Sequence, residues 1–204
     1  MPTSTLSDLL RRAGAGLAGG MRVAIPGEVV TYDHARQKAS VRPLVSRAYA
    51  DGLVDDAPII EGVPVIWPRS GGASLTFPVQ AGDGVLILWC DIDIERWLQF
   101  GGSQPAADLR QHDWNDAVCV PGLYSFAEPS LSENNDDVLL IHGGSTVRLR
   151  GNGDIEIDAA GDVLLGPAGD RKKVLRDGDL CHVGSGSSAG QWPVYASTEK
   201  VWSG

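Results

Sequence analysis

The stretch VLLIHGGSTVRLRGNGDIEIDAAGDVLLGPAG, residues 138–169, is written on an interval of eight. Leu139, Val147, Ile155 and Val163 stand eight apart, and Ile141, Leu149, Ile157 and Leu165 repeat that spacing two positions later. Gly153, Gly161 and Gly169 keep the same step, while the first unit turns at Gly143-Gly144. Each unit reads as a short strand with two apolar residues on one face, followed by a turn of Gly with Asn or Asp. Two inward side chains per unit are too little apolar area for a single chain to fold around. Three copies wound about one axis would bury Leu139, Ile141, Val147, Leu149, Ile155, Ile157, Val163 and Leu165 together and close the strand edges. Arg148, Arg150, Asp154, Glu156, Asp158 and Asp162 would then face water. The plainer alternative is a β-meander carried as an appendage of the preceding domain.

Upstream, the polar run SFAEPSLSENNDD (residues 125–137) holds almost no core material and reads as a linker over 125–136. Before it, residues 21–124 carry β signals. Met21 to Thr31, Ala39 to Tyr49, Val63 to Pro68 and Gly84 to Asp91 are rich in Val, Ile, Leu and Trp, with turn chemistry between them. Ile94 to Phe100 is a short helix or a strand end, and Ser103 to Val120 an irregular arm that returns to the sheet at Val118-Cys119-Val120. Five short strands in this length fit an OB-like barrel. Residues 1–20 hold an amphipathic helix, with Leu6, Leu9, Leu10, Ala13 and Leu17 on one face, either a packing element or a docking segment for a neighbouring subunit. The expected fold is therefore all-β: helix 1–20, OB-fold barrel 21–124, linker 125–136, an intertwined trimeric β-helix 137–170, and a cap or tip-attachment segment 171–204.

Composition narrows the function. A net charge of −9, from 26 acidic and 17 basic residues, leaves no basic stripe to follow a phosphate backbone, so nucleic acid is not an expected partner. No apolar run approaches the ~20 residues of a membrane helix, and Asp8, Arg11 and Arg12 interrupt any secretory signal. Three cysteines without a CxxC point to synthesis in a reducing cytoplasm. The 26 glycines and 12 prolines favour short strands and turns over long helices.

The order of parts resembles the central spike, or cell-puncturing, proteins of contractile phage tail baseplates, and is similar to the short spikes of Mu-like phages. The resemblance spans about Met21 to Asp170. It rests on Gly27-Glu28-Val29-Val30, on Gly82-Asp83-Gly84-Val85-Leu86-Ile87 ahead of Asp93-Ile94-Glu95-Arg96-Trp97, on Arg110-Gln111-His112-Asp113-Trp114-Asn115-Asp116-Ala117 leading into Val120-Pro121-Gly122-Leu123, and on the octads. It implies an OB-fold collar seated among baseplate hub proteins, a homotrimeric needle that meets the host outer membrane transiently on contraction, and a place in the virion. Many such spikes end in a His-x-His pair that binds an axial metal. His34, His112, His142 and His182 offer no such spacing, and neither Cys181-His182 nor His142 is expected to bind one, so no metal or cofactor is expected. Without that motif, Trp192, Val194, Tyr195, Val201 and Trp202 read as a cap or a seat for a separate tip protein.

Catalysis is not expected. There is no GxSxG, HExxH or GxxxxGK[ST], the linker is too short for the lysozyme domain that some relatives of this architecture carry, and the pairs Asp91/Asp93 and Asp136/Asp137 read as solvated carboxylates. Two rivals to a spike remain. One is an OB-fold module binding oligosaccharide or single-stranded nucleic acid through Tyr32, Tyr49, Trp67 or Trp89. The other is a baseplate adaptor without envelope contact. In either spike or adaptor, the first helix and the loops Asp51 to Pro58 and Gly101 to Trp114 are the expected hub contacts.

Overall fold

The structure, a computed structural model, describes residues 5–48, 52–167, 169, 180–183, 185–187 and 189–193. The chain divides into two compact units, residues 1–129 and 130–204, and the division falls inside the stretch read as a linker. The fold is mostly β, as composition led us to expect.

In the first unit, helix α1 (Leu6–Gly20) begins at a capping box. The Thr5 hydroxyl donates to Asp8 Oδ2 at 2.7 Å and accepts from the Asp8 N–H at 3.2 Å, which pairs an end N–H that the helix itself leaves free. Leu6, Leu9 and Leu10 are exposed. Then follow β1 (Ala24–Asp33), β2 (Lys38–Pro43), the two-residue strands β3 (Arg47–Ala48) and β4 (Val54–Asp55), β5 (Ile60–Pro64), the pair β6 (Arg69–Ser70) and β7 (Ala73–Ser74), and β8 (Gly84–Trp89). Helix α2 (Glu95–Phe100), a single 3-10 turn at Trp114–Asp116 and β9 (Ala117–Pro121) complete it.

Five strands make one antiparallel sheet in the order β5-β2-β1-β8-β9. Two register shifts bend it, one in β1 between Val29 and Thr31 and one where β2 meets β5. At the second, Gly62 has φ 70°, a left-handed conformation that suits glycine at a bulge. With the sheet so curved, an isolated parallel bridge joins Val65, just past β5, to Cys119 of the opposite outer strand, and the Ile66 N–H donates to the Cys119 carbonyl at 2.8 Å. Alternate residues point inward: Val29, Ala39, Val41, Val63, Val85, Ile87, Ala117 and Cys119 are almost fully buried, with Trp67 and Trp89 at the margins of the core. Each such large aliphatic contributes about 1.5–3 kcal/mol of apolar burial. Burial also pushes the Cys119 thiol up to about 11, so it serves as a small apolar side chain.

Turn chemistry sets the strand ends. Asp33 Oδ1 accepts from the Ala35 and Arg36 N–H groups at 3.0 and 3.1 Å, which closes the β1–β2 turn. The second strand, expected to reach Tyr49, stops at Pro43, with one further bond from the Leu44 N–H to the Pro26 carbonyl at 2.9 Å. Tyr49 and Asp51 lie outside the described residues.

In the second unit, β10 (Val138–His142), β11 (Ser145–Leu149) and β12 (Ile155–Asp158) form a three-stranded antiparallel meander. The expected fourth unit forms no strand of its own among the described residues: Val163 and Leu165 are exposed, and Leu165 takes part in a single bridge only. Downstream, β13 (Leu180–Val183) pairs with β14 (Gly190–Pro193). Residues 170–179 and 194–204, which include Val194, Tyr195, Val201 and Trp202 of the expected cap, lie outside the described residues.

Gly84 marks the tightest approach in the barrel sheet. A Cβ built there would overlap the Leu123 carbonyl, a backbone atom that cannot swing aside. We therefore expect Gly84→Ala to cost about 3 kcal/mol, the upper end for overpacking. A lowered urea midpoint by tryptophan fluorescence is the readout, and an unchanged midpoint would show that β8 and Leu123 do not meet.

Candidate functional site

Register decides which side chains of the meander share a face, because residues directly opposite in an antiparallel pair project to the same side. Val138 pairs with Leu149 and Leu149 with Ile155, while Leu140 pairs with Val147 and Val147 with Ile157. These two rows put six apolar side chains on one face. They are far from buried: Ile155 is 66% exposed, and not one described residue from 130 onward is buried.

The first unit differs from the octad reading. Leu139 pairs with Arg148 and Ile141 with Thr146, so these two lie on the opposite, polar face, and Val138 and Leu140 take the places expected for them. Turn length is the cause. The tight turn Gly143-Gly144 has φ 57° and 81°, the double left-handed conformation of a two-residue hairpin, and it joins even-numbered residues of β10 to odd-numbered ones of β11. The longer loop Arg150–Asp154 joins odd to odd, so Val147, Leu149, Ile155 and Ile157 stay together. In that loop Gly153 has φ 93° and its N–H donates to the Arg150 carbonyl at 2.9 Å. Gly161 and Gly169 sit in bend and turn segments beyond β12. His142 is an exposed strand end that pairs across to Ser145, and so lies on the Val147 side, not the side of Arg148 as its spacing implied.

The opposite face is ionic. Arg148 is held between Glu133 and Asp137, the latter at 3.1 Å, and Arg150 meets Glu156 at 2.6 Å. The Asn134 side chain, the Gly151 N–H and Arg148 hold the Asp137 carboxyl below its usual range. Asp137 is thus an engaged group and not the free surface carboxylate expected from sequence, whereas Asp136 is exposed.

In the first unit Asp93 overturns the same expectation. Asp91 is exposed, but Asp93 and Asp116 are buried, and Arg110 joins them. Its Nη2 donates to Asp93 Oδ1 at 2.6 Å and to Asp116 Oδ1 at 3.0 Å, and its Nε to Asp116 Oδ2 at 2.7 Å. Asp93 also accepts from the N–H groups of Glu95, Ala107 and Asp108, at 2.9, 2.8 and 3.1 Å. Buried charge is tolerated only when paired and hydrogen-bonded, and here nearly every lone pair is used. The clamp ties α2, the arm after Gly101 and the return into β9 to one point. The sequence signal was present, since Asp93 and the run Arg110 to Asp116 both lie in the resembling motifs, but nothing in spacing alone brings them together.

Among the described residues, no cluster of three or more His, Cys, Asp or Glu side chains is placed to hold a metal, and no helix is long and apolar enough to cross a membrane. Tyr32 and Trp67 of the proposed stacking set line one cleft, while Trp89 lies against Trp114 with ring centroids 5.5 Å apart and lines another. The side-chain surroundings of Cys181 and His182 lie outside the described residues.

Residues 25–122 match the family described as phage protein Gp138 N-terminal domain. Over that span the chain is similar to a phage protein domain, and the likeness suggests a place with the virion. No curated protein matches the chain. The matched span takes in the five-stranded sheet and the whole Asp93–Arg110–Asp116 clamp, and it ends before the meander begins.

The clamp predicts two outcomes. Asp116→Ala leaves Arg110 with Asp93 and the more distant, exposed Glu95 as its ion-pair partners and is expected to cost about 3 kcal/mol in urea unfolding. For Asp93, the Glu95 N–H first, then those of Ala107 and Asp108 and the charge of Arg110, outweigh desolvation and lower the pKa. That stabilisation is complete above the ordinary carboxylate pKa of about 4 and is lost as pH falls through the lower folded value. Thermal midpoints should hold from neutral pH down to about 5 and fall below that. In Asp93→Asn the acid slope should be shallower, and an identical slope would mean that Asp93 titrates normally.

Proposed function

We propose that this chain is the homotrimeric central spike of a contractile phage tail. In this reading the N-terminal sheet is an OB-type barrel that forms the collar in the baseplate hub, and the strands after the linker braid with two further copies into a β-helix that breaches the host outer membrane on contraction. The barrel assignment is supported by the strand order, with the Val65–Cys119 bridge bringing the two outer strands together in parallel. The phage placement is supported by the match over 25–122.

The observation that carries the trimer is the contrast between the two units. Val29, Val41, Val85 and Ile87 of the first are sealed from water, whereas the meander pairs three strands in register, leaves the outer edges of β10 and β12 without a partner strand and buries no side chain among its described residues. Paired strands with one apolar and one ionic face need something laid against the apolar side. Three identical copies fit, because the octad step from Val147-Leu149 to Ile155-Ile157 presents the same pair of residues at each level. The role is mechanical: a closed prism has its backbone groups satisfied and no free edge when it passes through lipid. It calls for no catalytic group, metal or cofactor. Hub contact falls to α1 and the clamped arm from Gly101 to Trp114, and a cap or a separate tip protein takes the far end.

An adaptor without envelope contact shares every one of these features except the last step, and outer-membrane vesicles ruptured by the isolated protein under load would separate the two. Assembly itself is tested by substitution. Ile155→Asp places three carboxylates on the axis, each costing several kcal/mol when buried unpaired, and should yield a chain of monomer mass in light scattering with the barrel fluorescence unchanged. Leu140→Ser should weaken the trimer and Ile141→Ser should not, given the observed register. An intact, heat-stable Ile155→Asp trimer would remove the axial assignment.

A further inference from the structure

We propose that the cleft formed by Tyr32, His34, Gln37, Trp67, Thr76 and Phe77 binds a neutral, hydroxyl-rich ligand, a saccharide. This goes beyond the spike reading and does not depend on it, since the cleft lies wholly within the barrel unit. The starting point is an orphan donor. Trp67 is 7% exposed, and its buried Nε1–H has no hydrogen-bond partner. Such a group is rare in a folded protein and asks for an acceptor that is not part of the chain. Trp67 lines an open cleft of about 340 Å³, at the small end of ligand sites.

The chemistry of the walls selects the class. Three aromatic rings stand there, with Trp67 and Phe77 edge to face and their centroids 4.8 Å apart. Beside them are a phenol, an imidazole, a primary amide and a hydroxyl, from Tyr32, His34, Gln37 and Thr76. None of the lining residues is Lys, Arg, Asp or Glu. A phosphate-bearing strand would need fixed cations, and the chain as a whole is at −9. A purely apolar ligand would leave the Trp67 N–H unpaired. A sugar ring offers both things the cleft asks for, an apolar C–H face for the aromatic rings and a rim of hydroxyls that donate and accept. The site is also held in place: Gln37 has φ 55°, and its carbonyl accepts the Val65 N–H at 2.9 Å, which fixes the β1–β2 turn against the segment leading to Trp67.

The test uses the full-length protein labelled with 5-fluorotryptophan, which gives Trp67 its own fluorine resonance, assigned with Trp67→Phe. Chitotriose and maltotriose are the probes. A saturable shift of the Trp67 resonance with either sugar is expected, and Thr76→Val, which leaves the ring cluster intact, should weaken that sugar about tenfold, the equivalent of one hydrogen bond of 1.4 kcal/mol. No movement of the Trp67 resonance at millimolar sugar would overturn the proposal. So would a shift produced by an oligothymidine or a proline-rich peptide and by neither sugar, or sugar binding that both substitutions leave unchanged.

Discussion

Apolar side chains that pair across strands but find nothing above them are the constraint on which the rest of this molecule turns. From Val138 to Ile157 the chain makes a regular ladder and sorts its residues cleanly, apolar to one face and ionic to the other. The ladder pairs β11 on both sides, and Arg148 and Arg150 with their carboxylates secure the wet face. What it does not do is remove Val138, Leu140, Leu149, Ile155 and Ile157 from water. Hydrophobic burial is the main favourable term in folding, and this unit has left it to be supplied from outside. In the trimer proposed above, a second and a third copy of the same chain would supply it with no new sequence.

The first unit solves the opposite problem. Its core is complete within one chain, its sheet bends at Gly62 and at the Val29–Thr31 shift, and its outer strands meet at Val65 and Cys119. The long arm that leaves it after α2 has little apolar material of its own, and the buried pair of aspartates around Arg110 holds it instead. Specific fixation by a desolvated ion triad suits a loop that must present a set shape to a neighbour, where an apolar core would be too thin to form. The two units thus use different physics: one completes an apolar core within the chain, the other leaves its apolar face exposed.

Much of this was legible in the sequence, and the exceptions have physical reasons. The strands of the first sheet announce themselves through β-branched runs and turn residues, and most fall near where those signals put them; the exceptions are the end at Pro43 and β5, which runs Ile60–Pro64 where Val63 to Pro68 was expected. The octads gave the turn positions and the face of Val147, Leu149, Ile155 and Ile157. They misplaced Leu139 and Ile141 because spacing counts residues, whereas facing depends on how many of them the turn consumes, and Gly143-Gly144 consumes two. Asp93 read as solvated because its partner lies far along the chain and no periodicity links them. The unpaired Trp67 N–H is invisible to any sequence pattern, since only packing reveals a donor without an acceptor.

Sedimentation equilibrium of the intact, unlabelled protein tests the central claim most directly, read together with hydrogen exchange at the amides of Val138 to Asp158. The account predicts three times the chain mass, with those amides protected in the assembled form. A folded, monomeric chain whose meander amides are equally protected would contradict it.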